Sequence, residues 1–169
     1  ARAREYGAMG IGLCRTEHQF MGDRLPLVRR VILSHDFDAE EAALSALAQA
    51  QREDFRELLQ VMGDRPVTVR LLDAPMHEFL PASAEEAEDE HQARMLEHLH
   101  EENPMLGVRG VRLALMHEGL YPAQVEAILY THPLVSEACV VGVPDEAQVE
   151  RVKAYVVLRA AGRPGPEAE

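Results

Sequence analysis

Two arginines mark the places where chemistry could gather. Arg15 closes the apolar run of "GIGLCRTEHQFM", and Arg70 lies within or at the end of that of "PVTVRLLD". A guanidinium stays charged when partly buried, and its planar fork matches phosphate and carboxylate oxygens. Two such forks at neighbouring strand ends could clasp one small anion. The same residues support a second reading, in which each arginine pairs with a nearby acid, Glu17 or Asp73, and serves only the fold. Asn103 and Gly107 read as turn residues. His18 and His77 follow the two arginine motifs and read as structural hydrogen-bonding groups.

Positioning these groups requires strands that end at the right place. Residues 10–14 read as a short buried strand and 66–73 as a second, rich in β-branched side chains. Between them, 24–34 suits a short helix. A long helix follows, with Asp38 as N-cap, Glu41 completing a capping box, and Gly63 as its stop. Leu44, Leu47, Phe55, Leu58, Leu59 and Met62 supply its apolar faces. Ser83 and Glu86 form a second capping box before a helix running to about His100. Residues 102–115 mix turn residues with a short strand-like run. A third helix starts at Tyr121 with Pro122 in its first turn, striped by Val125, Ile128 and Leu129. "ACVVGV" and "VKAYVVLR" read as two strands joined by a turn or short helix over 144–150. Strands alternating with helices up to about residue 117 predict a parallel α/β arrangement, in which functional side chains collect at strand ends.

Composition narrows the function classes. The 169-residue chain carries a formal net charge of −12, which argues against nucleic acid and anionic membrane surfaces as partners. A local basic pocket for an anion is still compatible with that balance. No apolar run approaches the ~18 residues of a membrane helix. Cys14 and Cys139 lie far apart in apolar runs, which fits reduced thiols and a cytoplasmic location. The chain opens on Ala1 instead of Met, so it is expected to start inside a longer protein. The triple-glycine stretch "GAMGIG" precedes a strand instead of following one and fails the context of a dinucleotide loop. His91, His98 and His100, with the run "AEEAEDEHQ", read as a solvated helix face. Nothing in the sequence sets an oligomeric state.

Four segments in order, "GIGLCRTEHQFM", "QREDFRELLQVM", "PVTVRLLDAPMHEFLP" and "ENPMLGVRGVRL", closely resemble the phosphoenolpyruvate-binding barrel of the pyruvate, phosphate dikinase family. The resemblance covers about residues 1–117 and implies part of a (β/α)8 barrel. It implies an enzyme that interconverts ATP, pyruvate and phosphate with AMP, phosphoenolpyruvate and diphosphate. By that resemblance Arg15 and Arg70 grip the substrate's phosphoryl and carboxylate groups, and Arg109 in "NPMLGVRG" either supports the same pocket or is a turn arginine bonded to carbonyls. Gln19 stands where a Met is more usual and Ala74 where a Pro is usual; neither alters a charged contact. The family uses Mg2+, but its Glu and Asp ligands come from later strands. The proton-donating Cys lies later still, and the phosphohistidine upstream. None of these segments is expected in this chain, and Cys14 belongs to the first arginine motif, so it is not that proton donor.

Residues 118–160 read differently. "YPAQVEAILYTHPLVSEACVVGVPDEAQVERVKAYVVLR" resembles the small α+β C-terminal lid of the adenylate-forming acyl-CoA synthetases, with Val149 replacing a usual Gly. Residues 161–169 are expected to be a disordered tail. The joint falls in the third helix, whose apolar stripe suits either parent. Two functions follow as expectations. One is a phosphotransferase fragment with part of a phosphoenolpyruvate/pyruvate site, inactive alone. The other is a non-catalytic lid-like module.

Overall fold

The structure, a computed structural model, describes residues 2–34, 36–73, 75–81, 83–87, 90–99, 107–146 and 149–159. A one-turn helix α1 (Arg2–Glu5) precedes strand β1 (Ile11–Arg15). Two 3-10 turns, Thr16–Phe20 and Gly22–Arg24, then lead into α2 (Leu25–Ile32) and the long α3 (Phe37–Met62). The chain returns through β2 (Val67–Arg70), which pairs with β1 in parallel. A parallel pair needs a crossover, and α2 with α3 provides it. The register sets Ile11 beside Val67, Cys14 beside Val69 and Arg15 beside Arg70, with an irregularity between Ile11 and Cys14.

Helix α3 runs 26 residues, about 39 Å at 1.5 Å per residue. Ala43, Leu47, Gln51 and Phe55 recur every four positions as its buried stripe. The N-cap is Asp36, whose Oδ1 accepts from the Ala39 N–H at 2.7 Å. The helix therefore opens two residues before the Asp38 cap read from the sequence, and Asp38 lies in the first turn, where an acid complements the helix dipole. Gly63 ends the helix as expected, at a φ of 60° that side chains rarely adopt. Arg4 donates to the carbonyls of Val61 and Met62, both at 2.8 Å, satisfying two acceptors that the helix end leaves open.

One apolar core gathers Phe20, Val28, Val31, Ile32, Leu47, Leu72, Met76, Phe79, Leu96, Leu113 and Leu120 among others. Phe20 and Phe79 meet edge to face at 6.3 Å between ring centroids. The loop after β2 is held by Arg29, whose Nε donates to the Phe79 carbonyl at 2.6 Å.

Beyond this loop the secondary structure departs from the sequence reading in two places. Ser83 opens a 3-10 turn (Ala84–Glu86) instead of capping a helix, and α4 begins only at Glu90 (Glu90–Leu99). The strand-like "VRLAL" is helix α5 (Val111–Met116), because burial of Leu113 in the core outweighs the β-branched bias of a short run. Helix α6 (Leu120–Leu129) follows. The chain described ends in β3 (Val135–Asp145) and β4 (Val149–Leu158), paired antiparallel.

The 117/118 line is crossed by several contacts. Leu113 and Leu120 share the core. Helix α6 packs along α3 across that line, while on its near side His117 Nδ1 lies 2.8 Å from Glu40 Oε1 of α3. The hairpin is tied to α6 in turn: Val140 N–H donates to Glu126 Oε1 at 2.8 Å, and Ala138 N–H to the Tyr130 hydroxyl at 3.0 Å.

The mixed α/β class and the parallel β1–β2 pair agree with the sequence reading. The described strands form two separate two-stranded sheets, and no closed barrel is present among them. Residues 160–169, where a disordered tail was expected, lie outside the described residues, as do His100 and Asn103. Among the described residues no helix is long and apolar enough to cross a membrane.

Candidate functional site: a guanidinium and carboxylate chain at two strand ends

Strand β1 ends in charged and polar residues because the following 3-10 turn folds them inward. Thr16, Glu17 and Phe20 are buried there, while His18 is exposed. Gln51 of α3 braces the turn by donating from Nε2 to Gln19 Oε1 at 3.1 Å. A buried carboxylate needs cationic partners to offset its lost hydration. Glu17 has two: Arg70 Nη2 is bonded to its Oε1, and Arg15 Nε lies 3.9 Å from the same oxygen.

The chain of charges continues past β2. Arg70 Nη1 approaches Asp73 Oδ2 at 3.7 Å, and Arg109 Nε donates to Asp73 Oδ1 at 3.0 Å. Arg109 Nη2 also reaches the Asp73 carbonyl at 3.5 Å. Arg109 is brought there by the turn before α5. Gly110 at the head of that helix has a φ of 56°, and a Cβ on it would lie 3.1 Å from Asp73 Oδ1. That position needs glycine for both reasons.

The structure thus brings all three sequence-predicted arginines together. Arg15 and Arg70 are register partners that converge on one carboxylate oxygen, and Arg109 joins them through Asp73. The simpler pairing with Glu17 and Asp73 is also present. The two readings are compatible, since three guanidiniums and two carboxylates leave a formal excess of one positive charge. Exposure is graded along the chain: the side chains of Arg15, Arg70 and Arg109 are 54%, 33% and 21% accessible, against 8% for Glu17. Arg15 is thus the most accessible of the three, and Arg70 and Arg109 are the more enclosed.

Buried polar atoms without hydrogen-bond partners surround the site. They include Thr16 Oγ1, Glu17 Oε2 and Arg70 Nε. Such orphans are uncommon in folded proteins. The hydrogen bond to Asp73 raises the affinity of Arg109 for its proton, outweighing a smaller opposing effect of burial. Cys14, half-buried one residue before Arg15, has its thiol pKa raised by burial and by the negative charge of Glu17. It stays protonated and is a poor nucleophile.

His18 and His77, expected to make structural hydrogen bonds, are both exposed on their 3-10 turns. His91 and His98 lie on the exposed side of α4, as a solvated face requires. Among the described residues no group of three or more His, Cys, Asp or Glu could hold a metal ion. Glu17 and Asp73 are each engaged by guanidiniums, so they do not form a magnesium cradle, and no step is assigned to a metal here. Sequence reasoning missed two contacts from α6. Gln124 Oε1 accepts from the Leu72 N–H at 2.9 Å, and the Tyr121 hydroxyl donates to the Leu72 carbonyl at 2.9 Å. The signal was a glutamine set within an apolar helical stripe and fully buried.

Known proteins bear on this geometry. The family described as "PEP-utilising enzyme, PEP-binding domain" matches residues 1–156. The pyruvate, phosphate dikinase of Rickettsia bellii (strain RML369-C) is 44% identical over 134 residues, covering 73% of this chain and 15% of that protein. The pyruvate, phosphate dikinase of Giardia intestinalis is 44% identical over 155 residues, covering 86% of this chain and 18% of that protein. "Pyruvate, phosphate dikinase 1, chloroplastic" of Arabidopsis thaliana is 42% identical over 156 residues, covering 85% of this chain and 16% of that protein. The chain therefore spans 15 to 18% of the length of these relatives. The acyl-CoA synthetase resemblance read in 118–160 is not supported, since the family match continues through residue 156. Its signature was two runs rich in β-branched residues, with Pro144 and Asp145 at the end of the first, and these runs form the antiparallel β3–β4 hairpin. The chain belongs to the PEP-utilising enzymes, by their PEP-binding domain.

Proposed function

We propose that this chain is part of a pyruvate, phosphate dikinase-type phosphotransferase and carries part of its phosphoenolpyruvate/pyruvate site. In this reading Arg15 and Arg70 hold the phosphoryl and carboxylate groups, and Arg109 supports them through Asp73. The parallel β1–β2 pair is one arc of a (β/α)8 barrel, and residues 1–117 carry the binding groups. The whole enzyme interconverts ATP, pyruvate and phosphate with AMP, phosphoenolpyruvate and diphosphate. Its Mg2+ is held by residues elsewhere in the polypeptide. The free thiols of Cys14 and Cys139 fit a reducing, cytoplasmic compartment.

The observation that carries this reading is the alignment of Arg15 with Arg70 at the ends of paired parallel strands. Phosphoenolpyruvate is a small, densely charged anion, and phosphoryl transfer depends on fixed positive charge around the group that moves. The three arginines supply such charge and have no proton to exchange at neutral pH. Glu17 and Asp73 orient them, so little reorganisation is needed on binding. The chain by itself binds without turning over.

Calorimetry at low ionic strength tests the proposal. Phosphoenolpyruvate titrated into the protein should release heat that fades as salt is raised. An Arg15→Ala, Arg70→Ala double variant should lose that heat. Equal heats for the two proteins would overturn the assignment.

A further inference from the structure

We infer that Tyr121 and Gln124, both on α6, are positioning residues for the anion site, acting through the backbone of Leu72. The inference rests on the reading of Arg15, Arg70 and Arg109 as substrate ligands, and it adds to it a device that nothing in the arginine motifs encodes.

The geometry is specific. Leu72 lies between Arg70 and Asp73 in the segment that leaves β2. Its N–H donates to Gln124 Oε1 and its carbonyl accepts from the Tyr121 hydroxyl, each at 2.9 Å. The two peptide groups that flank Leu72 are therefore both fixed from one helix. The second of them leads directly into Asp73. Asp73 is the carboxylate that bridges Arg70 and Arg109. Its direction, and with it the spacing of the two guanidiniums, depends on where that peptide group points.

Three further observations show a dedicated arrangement instead of ordinary helix docking. Leu72 and Gln124 are each at most 1% exposed, so water does not replace the bond between them when it is lost; the Tyr121 bond is part-buried. Gln124 keeps its amide at a fully buried position although Nε2 has no hydrogen-bond partner. An apolar side chain would avoid that orphan, so the acceptor on Leu72 is what the amide supplies. The Tyr121 phenol holds its proton more tightly than an ordinary tyrosine, because of burial and then the nearby charge of Asp73. It remains a donor to the Leu72 carbonyl throughout the neutral range.

The test uses the full chain with Tyr121→Phe and Gln124→Met variants. Nuclear magnetic resonance reads the Nε–Hε signals of Arg70 and Arg109, assigned from Arg70→Lys and Arg109→Lys proteins. Tyr130→Phe serves as a control, since it removes a part-buried tyrosine contact to Ala138 away from the site. Both α6 variants should shift or broaden the Arg70 and Arg109 signals, whereas Tyr130→Phe should leave them in place. Phosphoenolpyruvate affinity should fall roughly two- to tenfold in each α6 variant, as expected for one hydrogen bond. Unchanged arginine signals in the folded variants would overturn the inference. If the signals move but the wild-type protein shows no phosphoenolpyruvate heat, the positioning role stands and the substrate assignment falls. Should a variant fail to fold, Tyr121→Leu and Gln124→Leu, which likewise remove the donor and the acceptor, replace it, and the same signals decide.

Discussion

The ends of β1 and β2 and the β3–β4 hairpin use β-structure in opposite ways. At the parallel pair the strands are short, and what matters lies just beyond them. Glu17 is buried, three arginines surround it and Asp73, and α6 fixes the backbone between. The hairpin has ten residue pairs in register but carries no comparable group of charged side chains among the described residues. Instead β4 exposes Val152, Tyr155, Val156, Val157 and Leu158 to solvent. Among the described side chains of the hairpin, Val135 and Val140 of β3 are the buried ones. The difference teaches that backbone pairing and functional value are separate properties. The longer ladder is the more regular, and the shorter one is where long-range side-chain interactions accumulate.

Core substitutions should break the symmetry between these regions most visibly. Phe79→Ala removes a fully buried ring that meets Phe20 and should cost about 3–5 kcal/mol. Val157→Ser on exposed β4 should stay within about 0.5 kcal/mol. Urea denaturation of the two variants, compared by midpoint at constant slope, checks the contrast; equal losses would mean that the hairpin belongs to the same cooperative core.

A smaller effect is expected from the charge chain. Glu17→Gln keeps the shape of the buried side chain and removes its charge, leaving Arg15 and Arg70 without their shared partner. Because both arginines reach solvent, the loss should be about 1–3 kcal/mol, below that of a fully buried pair. Stability measured across salt concentrations would show it, and a neutral result would identify the pairing as incidental.

Gly110→Ala should cost about 1–3 kcal/mol from backbone strain at its positive φ, and it should also displace Asp73. Thermal melting together with the Arg109 Nε–Hε signal reads both consequences. Removing the cap of α3 by Asp36→Ala should cost about 1 kcal/mol, whereas Asp38→Ala should cost only a few tenths of a kcal/mol as a first-turn charge. If Asp38→Ala proves the costlier of the two, the helix opens where the sequence pattern alone places it.

The smallest effect concerns pH. The folded pKa of Cys14 is raised by burial first and then by Glu17. A group raised on folding contributes stability below its unfolded pKa, and loses that contribution as pH climbs through the folded value. Wild-type protein should therefore lose stability slightly faster than Cys14→Ser between the ordinary thiol range and the raised value. Melting curves across that alkaline window test the sign. Tyr121, shifted upward by burial and Asp73, acts in the same direction at still higher pH.

The residue pattern revealed the first strand, the α2 region, the long helix and its glycine stop, the second strand, the third helix and the two final strands. Each depends on local periodicity or on a capping residue. It misplaced the start of α3 because two aspartates two residues apart both suit an N-cap, and only the Asp36 contact to Ala39 separates them. It misread α5 because six residues are too few for a helical period to outvote β-branched composition. It divided the chain at 117/118, a line spanned by the shared core of Leu113 and Leu120 and by the packing of α6 on α3.

The arginines were legible for a similar reason. A cation ending an apolar run is a local event, and Arg15 and Arg70 each carry that mark in the chain itself, whereas Arg109 was legible only through its family motif. Residue order also set the parallel α/β class, through strands separated by helical crossovers. Tertiary structure alone decided that Glu17 takes two arginines, that Asp73 joins the third, and that α6 grips Leu72. Those contacts span 53, 36 and 52 positions. Their energies depend on strand register, burial and loop closure, none of which is written in any short window of residues.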